Sequence, residues 1–219
     1  MVDRRTFLAT ASLAAAACVA PSRWALAQTR KPLSLLILGG TRFIGVEMTE
    51  LALKRGHTLT FFNRGKTNAD LFPDIERIKG DRNGEIDGLR GRKWDAVIDN
   101  SGYFPRAVKL TAELLAPSVS QYLFVSSISV YPDFKAPRDE ASAVGKLKDE
   151  SIEKVDENTY GPLKALCEKA AEAAMPGRVT VIRPGLIVGP HDSTDRFTYW
   201  PARAARGGEM LAPRAPASR

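Results

Sequence analysis

The stretch Leu36-Ile37-Leu38-Gly39-Gly40-Thr41-Arg42-Phe43-Ile44-Gly45 is an apolar run that breaks into a glycine turn and then into an amphipathic segment. A buried strand, a glycine turn and a helix in that order present free helix N–H groups to a pyrophosphate. Gly39 permits the tight turn, Gly45 lets the helix lie close to the strand, and Gly40, Thr41, Phe43 and Ile44 complete the cradle. The middle glycine of the usual G-x-x-G-x-x-G spacing is replaced by Arg42, whose side chain the turn must either keep aside or use.

Outward from this turn, strand-like apolar runs alternate with helical patterns at spacings of about 20 to 30 residues, the signature of βαβ units and a parallel sheet. Strands are expected at Leu33 to Leu38, Thr58 to Phe62, Ile75 to Ile78, Ala96 to Ile98, Tyr122 to Val125 and Val179 to Ile182. Helices are expected at Phe43 to Arg55, stopped by Gly56, at Arg106 to Leu115, at Gly161 to Ala174 and around Arg196 to Arg206. Pro132 to Asn158 is charged and lacks periodicity, so it reads as a loop over the mouth of the sheet, where a substrate would be met.

The first 28 residues read as an export signal. Arg4-Arg5-Thr6-Phe7-Leu8 is a twin-arginine motif, an Ala-rich stretch runs to Ala20, and Ala25-Leu26-Ala27 supplies a small-x-small cleavage site. The apolar run is too short to span a bilayer. The expected partner is the twin-arginine export machinery and the expected location is the periplasm or the exterior. About 190 residues then remain, enough for a single domain with its own core. The formal net charge of +7 falls by two when Arg4, Arg5, Arg23 and Asp3 leave. Basic residues are scattered among acids, so nucleic acid is not an expected partner. Only Cys167 survives cleavage, which excludes an internal disulfide, and it reads as a small buried hydrophobe. His57 and His191 have no clustered partner at ligand spacing, so no metal site is expected.

Tyr160 and Lys164 open a helix at i,i+4 and share a face, with Pro162 tolerated in the first turn. A tyrosine has a pKa of about 10, and an adjacent ammonium favours the phenolate, so such a pair can exchange a proton with a hydroxyl or ketone. Ser127 follows the fifth strand at the sheet edge where ligands bind, and its hydroxyl could polarise a carbonyl, with Ser126 and Ser129 as rivals. Tyr199-Trp200 is open between lining a substrate cleft and packing a helix.

The motifs GGTRFIG at Gly39 to Gly45, Gly80-Asp81, VSSISVY at Val125 to Tyr131, YGPLK at Tyr160 to Lys164 and RPGLIVGP at Arg183 to Pro190 occur in one order along the chain. In them the chain resembles an extended or atypical short-chain dehydrogenase/reductase of the NAD-dependent epimerase/dehydratase family. The GGTRFIG variant is similar to a branch that includes chloroplast stem-loop binding proteins. The resemblance implies a doubly wound, Rossmann-like parallel sheet over 29–212. It implies Ser127, Tyr160 and Lys164 as the catalytic set, Lys164 also on the cofactor ribose, Asp81 at the adenine, and Pro184 to Val188 flanking the nicotinamide. The expected reaction is hydride and proton transfer at a hydroxyl/ketone centre of a sugar derivative; the alternatives are a nucleotide- or RNA-binding module without turnover and an inactive fragment.

Two departures from the family carry information. Where an aspartate often meets the adenosine ribose stands Asn63, followed by Arg64. Losing a carboxylate while Arg42 and Arg64 add guanidinium groups suits a 2′-phosphate, so NADP is expected ahead of NAD. Similar proteins also continue beyond a segment like Gly207 to Leu211 into a small substrate domain, which is expected to be largely missing here through a premature stop or frameshift. The patternless residues 213–219 read as a disordered tail.

Overall fold

The structure, a computed structural model, describes residues 31–210. The expected export signal and the expected tail at 213–219 lie outside the described residues. The strands are β1 (Ser34–Leu38), β2 (Thr58–Asn63), β3 (Glu76–Lys79), β4 (Trp94–Asp99), β5 (Val119–Val125) and β6 (Val179–Ile182). The helices are α1 (Ile44–Lys54), α2 (Pro105–Leu115), α3 (Tyr160–Ala174) and the short α4 (Tyr199–Ala205).

All six strands run parallel in one sheet of order β3-β2-β1-β4-β5-β6. The order reverses between β1 and β4, both of which start from the middle of the sheet, and a crevice opens at such a switch point beyond the carboxyl ends of the strands. The expected strands and helices all occur, with boundaries moved by tertiary contacts. The segment between Pro132 and Asn158 contains neither helix nor strand, as its lack of periodicity predicts.

After Ser34 the strand β1 is apolar to its end, because both of its faces are covered. Leu36 and Leu38 point into a core shared with Val108 and Leu115 of α2 and Cys167 and Ala171 of α3. Leu35 and Ile37 point the other way, onto Phe61 of β2 and Ala52 of α1. The sheet is therefore wound on both faces. Each fully buried large side chain, such as Phe61 or Tyr122, contributes roughly 1.5–3 kcal/mol from removal of apolar surface. The face carrying α1 is thinner toward the other edge, where Ala96 and Ile98 are only partly buried and Ile182 of β6 is exposed.

Candidate functional site

The glycine turn joins the carboxyl end of β1 to α1. Gly39 has φ +119, a conformation that glycine adopts without strain, and its N–H donates to the Phe62 carbonyl at 3.0 Å. A Cβ on Gly45 would stand 2.9 Å from the backbone of Gly40, so only glycine lets α1 start this close to the turn. Phe43 precedes α1 with φ 47 and makes no side-chain cap. Among the described residues the N–H groups of Arg42, Phe43 and Ile44 find no acceptor, which leaves a concave row of donors at the positive end of a helix dipole. These features fit a dinucleotide pyrophosphate.

The loop after β2 is tied to this turn. The Asn63 amide donates to the Gly39 carbonyl at 2.9 Å and accepts the Gly65 N–H at 3.0 Å. The Thr41 hydroxyl donates to the Thr67 carbonyl, and the Asn68 amide to the Thr41 carbonyl. Asn63 is thus committed to shaping the turn, while Arg64 and Lys66 extend into solvent beside it. A cleft of about 590 Å³ is lined by Gly39 to Ile44, Arg64, Lys66 and Asp81. Asp81 closes an Asx turn, accepting the Asn83 N–H at 2.9 Å.

Three groups of residues at this cleft escaped the sequence reading. Arg82, next to Asp81, reaches under the carboxyl end of β4, where both terminal nitrogens contact the Asp99 carboxylate at 2.7 Å. Asp99 also accepts the Tyr122 hydroxyl at 2.7 Å, and burial, aided by the Asp99 charge, drives the Tyr122 pKa well up. Asn100, Ser101 and Tyr103, which follow β4, line the cleft; a polar run at the carboxyl end of a parallel strand is the signal that could have found them. Finally, Asp192 to Arg196 fold back over the turn. Arg42 meets the Ser193 hydroxyl at 3.3 Å, and the Arg196 guanidinium lies 5.7 Å from the Phe43 ring centroid.

Ser127, Tyr160, Lys164 and Pro184 lie outside the lining of the cleft. Gly161 brings α3 against the turn after β5, since a Cβ there would collide with the Ser129 carbonyl at 1.9 Å. The hydroxyl of half-buried Ser127 accepts the Ser129 N–H at 3.1 Å and donates to the Ser129 hydroxyl at 3.1 Å, whereas the Ser126 hydroxyl is buried on Glu168. Glu168 in turn holds Arg183, which also donates to the Tyr131 hydroxyl at 2.9 Å and so anchors the start of the 132–158 loop. Pro184 follows Arg183, and its carbonyl accepts the Ile128 N–H.

Lys164 is buried, and its ammonium donates to the carbonyls of Gly102 at 2.8 Å and Val125 at 2.6 Å. It also stands 4.2 Å from the Phe124 ring centroid. Burial pushes its pKa down and the Asp99 carboxylate opposes this. Two of its three protons are therefore committed to backbone, leaving one to offer. Tyr160, one turn earlier, has its ring centroid 6.3 Å from that of Tyr103. Cys167 is fully buried, with its thiol pushed up to about 12. Tyr199 and Trp200 are exposed and line no part of the cleft beside the glycine turn.

Residues 35–214 match the family described as NAD dependent epimerase/dehydratase. The chain belongs to that family. Chloroplast stem-loop binding protein of 41 kDa b from Arabidopsis thaliana is 34% identical over 143 residues, covering 54% of this chain and 37% of that protein. In fold, this family member is similar to UDP-glucuronic acid 4-epimerase from Bacillus cereus in complex with NAD, with a TM-score of 0.58 at 15% identity over 74% of this chain and 59% of that one. It is also similar to yeast methylglyoxal/isovaleraldehyde reductase complexed with NADPH, with a TM-score of 0.56 at 18% identity over 73% and 59% of the two chains. The chain thus spans little more than a third of the plant relative and about three fifths of these solved chains.

Proposed function

We propose that the chain binds a nicotinamide dinucleotide, NADP(H) ahead of NAD(H), and serves an epimerase, dehydratase or reductase acting on a hydroxyl/ketone centre of a sugar derivative. The observation that carries this reading is the single cleft that joins the capless start of α1 to Arg42, Arg64 and Asp81. The relatives solved with NAD or NADPH support the same ligand class. Arg42, Arg64 and Lys66 are cations beside the position where an aspartate would otherwise meet the ribose, which suits a 2′-phosphate.

The nicotinamide supplies hydride transfer when bound. In this reading Tyr160 moves a proton to or from the substrate oxygen, and Ser127, at the end of β5, turns its hydroxyl from Ser129 to donate a hydrogen bond to that oxygen. Lys164, held by the Gly102 and Val125 carbonyls, keeps one N–H for the ribose and places positive charge beside the phenol. Asn63 works through the backbone by fixing the turn.

A second reading, a binding module that takes RNA without turnover, is favoured by the name of the Arabidopsis relative. Fluorescence titration of NADPH, NADH and a stem-loop RNA against the wild type, Arg64→Ala and Tyr160→Phe separates the readings. The proposal expects both dinucleotides to bind, NADPH more tightly, with Arg64→Ala removing most of that preference. Binding of RNA without either dinucleotide would overturn it, and an unchanged preference in Arg64→Ala would overturn the NADP assignment alone. The Arg4-Arg5 motif supports the further proposal that the full chain leaves the cytoplasm by the twin-arginine route.

A further inference from the structure

We propose that Arg106 is a positioning residue that couples the 132–158 loop to the dinucleotide site, by holding Glu153 of the loop and Asn83 of the Asp81 turn in one guanidinium fork. The inference rests on the dinucleotide reading above and goes beyond it by making the loop over the sheet mouth respond to the bound dinucleotide.

Arg106 stands where a helix does not favour a cation. It follows Pro105 in the first turn of α2, at the positive end of the helix dipole, and no acidic residue shares that turn. Its compensation comes from elsewhere in the chain. The Arg106 Nε donates to one Glu153 oxygen at 2.8 Å and a terminal nitrogen to the other at 2.9 Å, a two-bond pairing that fixes direction as well as distance. The bond to Arg106 holds the Glu153 carboxyl below its usual pKa, so the pair is charged at neutral pH. The same terminal nitrogen donates to the Asn83 side-chain oxygen at 3.1 Å.

The two arms of the fork end on the two parts it joins. Asn83 lines the cleft and donates both its N–H and its amide to Asp81 Oδ1, each at 2.9 Å. Asp81 Oδ2 has no hydrogen-bond partner among the described residues, so the outer oxygen of the carboxylate remains for a ligand in the cleft. On the other arm, the loop is pinned at Gly145, whose N–H donates to the Val130 carbonyl at 2.7 Å, and at Lys154, whose carbonyl accepts the Thr159 hydroxyl. Between those points Glu153 makes the only hydrogen bonds that leave the loop among the described residues. A ligand that fixes Asp81 therefore fixes Asn83, the fork and Glu153 in turn, through side chains in direct contact. Such coupling is reciprocal: the factor by which the dinucleotide holds the loop down equals the factor by which the held loop tightens the dinucleotide.

The test measures NADPH affinity by fluorescence titration, and hydrogen exchange of residues 146–153 with and without saturating NADPH. The full chain is compared with Arg106→Lys, Glu153→Gln and the double variant, with thermal unfolding as the check on folding. In the wild type NADPH is expected to slow exchange in 146–153 by about threefold, a size that a partly exposed fork can carry. Arg106→Lys keeps the charge but cannot span both partners, so it is expected to lose that slowing and to bind NADPH about threefold more weakly. Glu153→Gln should do the same, and the double variant should lose no more than either single one. A side chain that merely pins the loop would loosen it equally with and without NADPH and leave NADPH affinity at the wild-type value. That result overturns the coupling, as does slowing by NADPH that persists in both single variants or is absent from a wild type that binds it; each leaves the dinucleotide reading intact. If the wild type binds no NADPH, the dinucleotide reading fails and the inference falls with it.

Discussion

Replacing Asp99 by Asn tests whether the loop expected at the adenine is anchored through the core. The Asp99 carboxylate is fully buried and accepts from both Arg82 terminal nitrogens, the Tyr122 hydroxyl and the Ser101 N–H. Asparagine keeps the shape but turns an amide toward a guanidinium whose side chain is only 12% exposed. Breaking a buried pair from one side leaves an uncompensated charge and costs about 3–5 kcal/mol. In a domain of this size that corresponds to a fall in Tm of roughly 6–20 °C. Because Arg82 adjoins Asp81, the same change should also weaken dinucleotide binding. Calorimetric unfolding of the full chain reads the first effect. The double variant Arg82→Met, Asp99→Asn removes both charges and should be more stable than Asp99→Asn alone. A Tm for Asp99→Asn within about 2 °C of wild type would refute the anchoring.

Gly45→Ala places a methyl 2.9 Å from the Gly40 backbone; the shift of α1 should cost about 1–3 kcal/mol and weaken both dinucleotides at least tenfold, measured by unfolding and titration. The Asp192 carboxyl is held near a pKa of about 2, first by its hydrogen bond to Arg196 and then by Thr194. Since the folded value is depressed, this contribution to stability is complete above the ordinary carboxylate range and is lost as pH falls through about 2; an NMR titration midpoint near 4 would contradict it. Cys167, buried with its thiol at about 12, should resist alkylation at pH 8 in the native chain and react in denaturant, as peptide mapping would show. Arg4→Lys with Arg5→Lys should retain the protein in the cytoplasm, and unchanged export by cell fractionation would remove the twin-arginine proposal.

The parts of this molecule that were legible in its sequence are those set by local backbone chemistry. The glycine turn, the apolar β1 and the paired positions of Tyr160 and Lys164 follow from spacing and from where a Cβ fits. Element ends were less legible because distant side chains extend them. β4 starts at Trp94, two residues before the expected Ala96, where the Trp94 indole donates to Thr60 and the Asp95 carboxylate accepts the Ser34 N–H. β5 starts at Val119 although Ser120 and Gln121 are polar, since its first residues pair with β4, Val119 opposite Trp94 and Gln121 opposite Ala96. What each polar side chain does was hidden for the same reason. Lys164 is held by carbonyls from two other elements, Asn63 turns inward to Gly39, and Arg42 meets Ser193 from beyond β6. None of these partners is within reach along the chain, so spacing carried no trace of them.

The central claim is that the turn from Gly39 to Gly45 holds the phosphates of a nicotinamide dinucleotide. A crystal structure of the full chain grown with NADPH tests it most directly. The account predicts the pyrophosphate on the N–H groups of Arg42, Phe43 and Ile44, the 2′-phosphate beside Arg42 and Arg64, and the nicotinamide end toward Tyr160 and Lys164. NADPH ordered elsewhere, or absent at saturating concentration with the turn unchanged, would contradict it.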